Sequence, residues 1–251
     1  MSTNILTPAQ IEAFHRDGYV LVKGLYSADE MQKIAAWTEE VSNYPEVPGK
    51  YMMYFEQSKL QPGTRILNRM EDIEPFHQGF RDVFQGAKMR GAVAELFGEA
   101  AVLFKDKINF KMSGGDGFKA HQDVQAGWDR YASIHITALV SIDVSTHKNG
   151  CLELAPGAHA QGLIGESWKP LDETAHDYVA CPTEPGDAVF FDSFIPHRSG
   201  PNLTDKPRRV LYVTYNKLSE DDHRRQYYAD KRLSYPPDCE RDADKEYVFR
   251  V

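Results

Sequence analysis

This sequence of 251 residues predicts a mainly β protein, a jelly-roll or barrel with helices packed on it. Three observations predict it. From Ala101 onward the chain breaks into short, often alternating apolar segments, the period-2 pattern of half-buried strands. Turn residues separate those segments, at Ser113-Gly114-Gly115-Asp116-Gly117, Lys148-Asn149-Gly150, Pro156-Gly157 and Pro185-Gly186-Asp187. Before Ala101 the apolar spacing is helical, and two capping boxes mark helix starts.

Thr7-Pro8-Ala9-Gln10 combines a capping threonine, a proline at the first helical position and a glutamine that can reach back. Ile11 and Phe14 give this helix its apolar face, and Gly18 ends it. Tyr19–Val22 then reads as a strand. Ser27-Ala28-Asp29-Glu30 opens a second helix, with Met31, Ile34, Ala35 and Val41 on one side, which stops before Pro45. Residues 44–63 predict a loop with a strand at 51–55. Apolar residues from Phe76 to Leu96 recur at helical spacing, so a helical stretch is expected over 72–97, broken near Gly86. Strands are expected at 101–104, 107–111, 133–144, 152–154, 188–191 and 208–215. The charged, Tyr-rich tail from Ser219 predicts a helix and an extended segment. No repeat and no linker divides the chain, so residues 1–251 are expected to form a single domain.

The bulk numbers exclude several classes. The formal net charge is -8 and no Lys/Arg-rich run occurs, which argues against a nucleic-acid partner. Cys151, Cys181 and Cys239 are odd in number and form no CxxC pair, so neither a disulfide framework nor a structural zinc site is expected. The first residues lack the basic start and apolar stretch of a signal peptide, and no run of about 20 apolar residues exists. The expected setting is the cytoplasm, with no membrane span. The sequence does not fix the oligomeric state.

His121-Gln122-Asp123 is the sharpest chemical signal. On an extended strand, residues two apart point to the same face, so His121 and Asp123 can bind one metal together. His197, beyond the strand Ala188–Asp192, is the candidate third ligand. Two histidines and one carboxylate leave the opposite face of a metal open, the arrangement of non-haem Fe(II) oxygenases. A lone His-x-Asp also arises by chance. Arg208, eleven residues after His197, adds context, because a guanidinium on a strand suits forked binding of a carboxylate.

The ordered set His121-x-Asp123, Asn149-Gly150-Cys151-Leu152-Glu153-Leu154-Ala155-Pro156-Gly157-Ala158-His159, Gly186-Asp187, His197-Arg198-Ser199-Gly200-Pro201-Asn202 and Arg208 closely resembles the phytanoyl-CoA dioxygenase family. The opening Phe14-x-x-x-Gly18-Tyr19-Val20 also matches that family's N-terminal pattern. The resemblance implies a double-stranded β-helix core with flanking helices, and chemistry with Fe(II), 2-oxoglutarate and O2. Carried over by position, it makes His121, Asp123 and His197 the iron ligands, Arg208 the 2-oxoglutarate arginine and Ser199 its hydroxyl helper. Asn109 matches a 2-oxoglutarate contact of the ectoine-hydroxylase branch, although the stretch from Asn109 to His121 is one residue shorter here. Ala158 stands where many members have serine.

Within the family the chain looks most like the bacterial hydroxylases of aminoalkylphosphonates, such as 2-aminoethylphosphonate and its trimethylammonium analogue. Hydroxylation beside phosphorus would prepare the molecule for carbon–phosphorus cleavage, so the pathway partner implied is an HD-domain mixed-valent iron oxygenase. A phosphonate needs Arg, Lys or amide donors. Asn68 and Arg69, on a segment expected to cover the mouth, are candidates, with a solvated loop pair as the alternative. A quaternary ammonium wants aromatic faces, for which Tyr51, Tyr54, Phe55, Trp128 and Tyr131 are available, if they are not core. A primary amine would want a carboxylate such as Glu56 or Asp129. The strand 133–144 has a mixed face, His135, Thr137, Leu139 and Ser141, on which Thr137 is the expected pocket contact and His135 an alternative. His159 reads as a turn residue. Within the same chemistry, another small zwitterion or an acyl ester is the alternative substrate, and two rivals of other classes remain at this stage: a jelly-roll metal hydrolase with the same ligands, and a non-catalytic binding module.

Overall fold

The computed structural model describes residues 4–247. Two helices lead the chain, α1 (Pro8–Asp17) and α2 (Ala28–Ser42), with β1 (Tyr19–Val22) between them. Both expected capping boxes form: Thr7 with Gln10, and Ser27 with Glu30. A hairpin of β2 (Met52–Gln57) and β3 (Arg65–Glu71) follows, then α3 (Gln78–Phe84) and α4 (Ala87–Phe97), broken at Gly86 as expected. The core strands are β4 (Ala101–Asn109), β5 (Phe118–His121), β6 (His135–Ser141), β7 (Leu152–Leu154), β8 (Val179–Cys181), β9 (Ala188–Asp192), β10 (His197–Ser199) and β11 (Val210–Lys217), and α5 (Arg224–Ser234) is the last α-helix described.

The strands pair antiparallel in two sheets, β1-β9-β6-β11-β4-β3-β2 and β5-β10-β7-β8. This is the mainly β, double-stranded β-helix architecture with flanking helices. The large sheet buries one face against α1 to α4. Ile108, Phe110, Ile136, Ala138, Val140, Phe190, Leu211 and Val213 pack there with Phe80, Phe84, Met89 and Val93. Its other face looks toward the small sheet and carries Leu139, Val189, Phe191, Val210 and Tyr212. The alternation of each strand decides which side chains reach the space between the sheets.

Several expectations need correction. The two strands expected at 101–104 and 107–111 are one continuous β4, because Lys105 and Asp106 are both buried in the ladder rather than in a turn. Residues Arg65–Glu71, expected as a mouth-covering segment, form β3, bonded to β4 with Arg69 opposite Asn109. The strand opened at Arg208 starts at Val210, two residues later. Asp123 does not continue the strand of His121. That strand ends at His121, and Asp123 opens a 3-10 turn over Asp123–Ala126.

Candidate metal centre

β5 and β10 run antiparallel with His121 directly opposite His197, which puts the two rings 4.2 Å apart between centroids. The 3-10 turn swings Asp123 to the same point, so its Oδ1 lies 4.0 Å from His121 Nε2 and 3.9 Å from His197 Nε2. The ligand atoms of the three residues all fall within 4.8 Å of one another. The loss of the strand at Asp123 therefore does not cost the convergence expected from the spacing; a turn achieves it instead.

The surroundings prepare these groups to bind a cation. His121 Nδ1 faces Lys119 O at 2.7 Å and His197 Nδ1 faces Ile195 O at 3.0 Å. A carbonyl only accepts, so each Nδ1 carries the proton and each Nε2 keeps its lone pair for a metal. Burial holds both imidazoles neutral, pushing His121 down to about 3, with the neighbouring His197 adding to the shift. Burial opposes the charge of Asp123, yet His197 and Lys107 outweigh it and keep the carboxyl below its usual range. Thr137 Oγ1 donates to Asp123 Oδ2 at 3.2 Å and pairs with Thr214 Oγ1 at 2.9 Å. Thr137 thus sits behind Asp123, leaving Oδ1 to the shared point. Two imidazole nitrogens and one carboxylate oxygen on one side are a donor set that fits a ferrous ion with open positions.

On one flank of the triad lies the Arg208 side chain, only 1% exposed. Its Nε and Nη1 have no hydrogen-bond partner, and burial lowers its pKa while the Tyr212 hydroxyl beside it opposes that shift. The carboxamide oxygen of buried Asn109 is also without a partner. A buried guanidinium with two idle donors costs free energy unless an anion arrives, so this flank fits the carboxylate of a keto acid. Ser199 ends β10 here, its hydroxyl accepting from Lys111 Nζ at 2.8 Å.

On the other flank is a cavity of about 400 Å³, lined in part by His121, Asp123, Arg69, Glu71, Lys105, Lys107 and Lys231. Glu71 is shared: Arg69 Nε approaches it at 2.8 Å, Lys231 Nζ at 2.6 Å and Lys105 Nζ at 3.6 Å. Burial opposes its charge, but these cations hold its carboxyl well below the usual range. Lys107 has no carboxylate within ion-pair distance among the described residues; its ammonium lies 4.6 Å from the Tyr212 ring, and burial followed by Lys105 drives it down to about 7. Aromatic walls complete the cavity, with Phe118, Trp128, Tyr131, Trp168, Tyr227 and Tyr235.

Of the expected substrate contacts, Arg69 and Trp128 line this cavity and Asn68 and Tyr54 do not. Asn68 Oδ1 accepts from Arg69 Nη1, and Tyr54 stacks under the Arg69 guanidinium at 4.1 Å while its hydroxyl donates to Tyr235 O. Both hold Arg69 from behind. Glu56 and Asp129 are not on the wall either; Glu56 accepts from the Asp116 amide. His135 is neither exposed nor hydrogen-bonded through its ring: it is buried against Phe104 with both ring nitrogens unpartnered, and burial lowers it to about 3. Lys105, Lys107 and Lys231 went unread in the sequence. The signal for two of them was present, since Lys105, Lys107 and Asn109 alternate along β4 and share one face.

The sequence profile of the phytanoyl-CoA dioxygenase (PhyH) family matches residues 14–210. The chain belongs to this family. It is an Fe(II)- and 2-oxoglutarate-dependent dioxygenase, and the triad fits the iron that such chemistry requires. The metal-hydrolase and non-catalytic readings are thereby set aside. The chain is 39% identical over 255 residues to a 2-aminoethylphosphonate dioxygenase from the uncultured bacterium HF130_AEPn_1, covering 96% of this chain and 93% of the relative. It is 40% identical over 234 residues to a methylphosphonate hydroxylase from Gimesia maris, covering 92% of this chain and 88% of that one. In fold it is similar to EctD from S. alaskensis, solved with 2-oxoglutarate and 5-hydroxyectoine, with a TM-score of 0.74 at 22% identity over 88% of this chain and 79% of that chain. Among the described residues no helix is long and apolar enough to cross a membrane.

Proposed function

We propose that this dioxygenase hydroxylates a small phosphonate at the carbon next to phosphorus, with 2-aminoethylphosphonate or its trimethylammonium analogue as substrate. The observation that carries the proposal is the charge balance of the cavity beside the triad. Arg69, Lys105 and Lys231 converge there on one carboxylate, Glu71, and Lys107 lines the same cavity without a carboxylate at ion-pair distance. Buried cations in excess call for an anion of more than one charge, and a phosphonate supplies it. The aromatic walls, Trp128, Tyr131 and Trp168 among them, suit an alkylammonium end.

In this reading His121, Asp123 and His197 hold the iron, Arg208 with Ser199 and Asn109 binds 2-oxoglutarate, and Thr137 orients Asp123. Iron with 2-oxoglutarate and O2 supplies the oxidising power, yielding succinate, carbon dioxide and a hydroxylated product. The residues of the cavity orient the substrate so that the carbon beside the phosphonate faces the triad, and they exclude water from it. Residues 1–251 act as one domain in the cytoplasm, and the product passes to an HD-domain mixed-valent iron oxygenase that cleaves the carbon–phosphorus bond, a succession of reactions that does not require a stable complex.

The test is aerobic turnover with Fe(II) and 2-oxoglutarate, following succinate and hydroxylated product with 2-aminoethylphosphonate, its trimethylated form, methylphosphonate and phytanoyl-CoA. Coupled turnover is expected with the aminoalkylphosphonates. Coupling to the acyl-CoA alone would refute the substrate class and leave the iron chemistry standing.

A further inference from the structure

Most aromatic faces of the cavity beside the triad are already taken by cations of the protein. Measured to the ring centroid, Trp128 and Tyr227 face Lys105 Nζ at 5.4 and 5.5 Å, and Tyr131 faces the Arg130 guanidinium at 4.9 Å. Tyr235 and Tyr247 face Arg241 at 4.8 and 5.8 Å, and Phe118 faces Lys107 Nζ at 5.9 Å. Trp168 is the exception among the aromatic side chains that line this space. No Lys or Arg of the described residues stands over its indole, the best of the aromatic faces for a cation.

Trp168 is also held where a bulky residue does not settle by itself. Its φ is +63°, in the left-handed region that suits glycine. The segment 162–171 around it is fastened to the segment 120–125, which carries His121 and Asp123. Gln125, fully buried, donates to Glu166 O at 2.7 Å and Lys169 O at 2.8 Å, and its own carbonyl accepts from the Trp168 amide at 3.0 Å. Gln122, also fully buried, donates to Gly162 O at 2.7 Å and accepts from the Ile164 amide at 2.6 Å. The Leu171 amide donates to Ala120 O at 2.7 Å. The indole lies along Gly127, where a Cβ would come within 3.6 Å of its Cζ2. It is nevertheless 40% exposed, whereas Arg69 and Lys105 are 5% and 7% exposed. The ring thus stands at the mouth of the cavity and those cations at its bottom.

We infer that Trp168 reads the far end of the substrate, and that it selects a quaternary alkylammonium by its charge and not only by its bulk. The inference rests on the phosphonate reading of the cavity. With the phosphonate among the buried cations and its neighbouring carbon toward the triad, the other end of the molecule reaches the mouth. A ring that already faces a cation is a poor seat for a second one, because the two charges repel; the open indole face carries no such penalty. A trimethylammonium has no N–H to donate, so it calls for a face and not for a hydrogen-bonding carboxylate. Glu246, the acid on the same rim, is exposed, and water screens its pull. A strained backbone held by two buried glutamines points the same way, since such strain persists only where the surroundings enforce it.

The experiment is anaerobic calorimetry on the protein loaded with Fe(II) and 2-oxoglutarate. It uses two ligands of one shape, 2-(trimethylammonio)ethylphosphonate and 3,3-dimethylbutylphosphonate, in which carbon replaces the nitrogen. Wild type, Trp168→Gly and Trp168→Phe are compared. Glycine adopts a positive φ freely, so Trp168→Gly removes the ring without straining the loop. Trp168→Phe keeps a weaker face and carries the test if the glycine variant does not fold. Wild type is expected to bind the cation roughly tenfold or more tightly than its neutral isostere. That preference is expected to fall to about two-fold or less in Trp168→Gly and to an intermediate value in Trp168→Phe. A preference that survives unchanged in the variants overturns the inference, even if both ligands bind more weakly, because it marks the indole as an apolar wall. Wild type that binds both ligands without preferring the cation overturns it as well and leaves the phosphonate reading standing. Wild type that binds neither ligand refutes the phosphonate reading itself.

Discussion

At the scale of single residues, adjacent arginines in one short segment have opposite fates. Arg208 turns inward, 1% exposed, with two donor atoms unpartnered. Arg209 turns outward, where Asp143 takes its Nε at 2.9 Å and Nη2 at 3.0 Å, and Glu39 takes Nη1 at 3.2 Å. The exchange of charge partners predicts different losses. Arg208→Ala removes a buried, forked contact to the co-substrate worth on the order of 3 kcal/mol, so 2-oxoglutarate binding is expected to weaken roughly a hundredfold. Arg209→Ala breaks a partly exposed pair on the far side of the strand, so it costs about 1 kcal/mol of stability or less and leaves co-substrate affinity within a few-fold. Titrating 2-oxoglutarate into each variant decides the matter; the reverse order would mean that Arg208 does not hold the co-substrate.

At the scale of elements, what was legible followed from local rules. Helix starts were readable because a cap and its reciprocal side chain lie three residues apart, and both boxes formed. The triad was readable because the side chains that meet in space carry a short motif and a family pattern around it. The cation cavity was not, because Arg69, Lys105 with Lys107, and Lys231 come from β3, β4 and α5, and only sheet register and helix docking bring them together. The docking of α5 rests heavily on one hydroxyl. Tyr228 accepts from the amides of Asp72 at 3.2 Å and Asp106 at 3.1 Å and donates to Asp106 O at 2.9 Å. Arg224 adds ion pairs to Asp72 and Asp106. Tyr228→Phe strands these buried backbone groups, at a cost of about 2 kcal/mol. A melting temperature lower by several degrees is expected, together with a raised KM for the substrate, because the same helix carries Tyr227 and Lys231 into the cavity. A lowered melting temperature with unchanged KM would show that α5 does not shape the site.

At the scale of the whole molecule, the sign of the charge reverses between surface and site. The chain carries a formal net charge of -8, while the cavity beside the triad is lined by five basic side chains, Arg69, Lys105, Lys107, Arg130 and Lys231, against two acidic ones outside the triad, Glu71 and Glu246. A long anion such as a CoA ester would need a basic track leading outward for its phosphates, and the sequence has no Lys/Arg-rich run to provide it. A phosphonate small enough to enter completely meets repulsion only on the approach. The approach is screened by salt over a Debye length of about 10 Å at 0.1 M, whereas contacts inside an enclosed cavity are screened far less. Raising ionic strength from about 0.01 M to about 0.15 M is therefore expected to raise kcat/KM for the phosphonate by a few-fold and to leave kcat unchanged. The measurement is initial-rate kinetics at fixed pH across a series of potassium chloride concentrations, with 2-oxoglutarate saturating. A steep fall in kcat/KM with salt would place the decisive cations at the rim and not inside, and would reopen the case for a substrate whose anionic part stays on the surface.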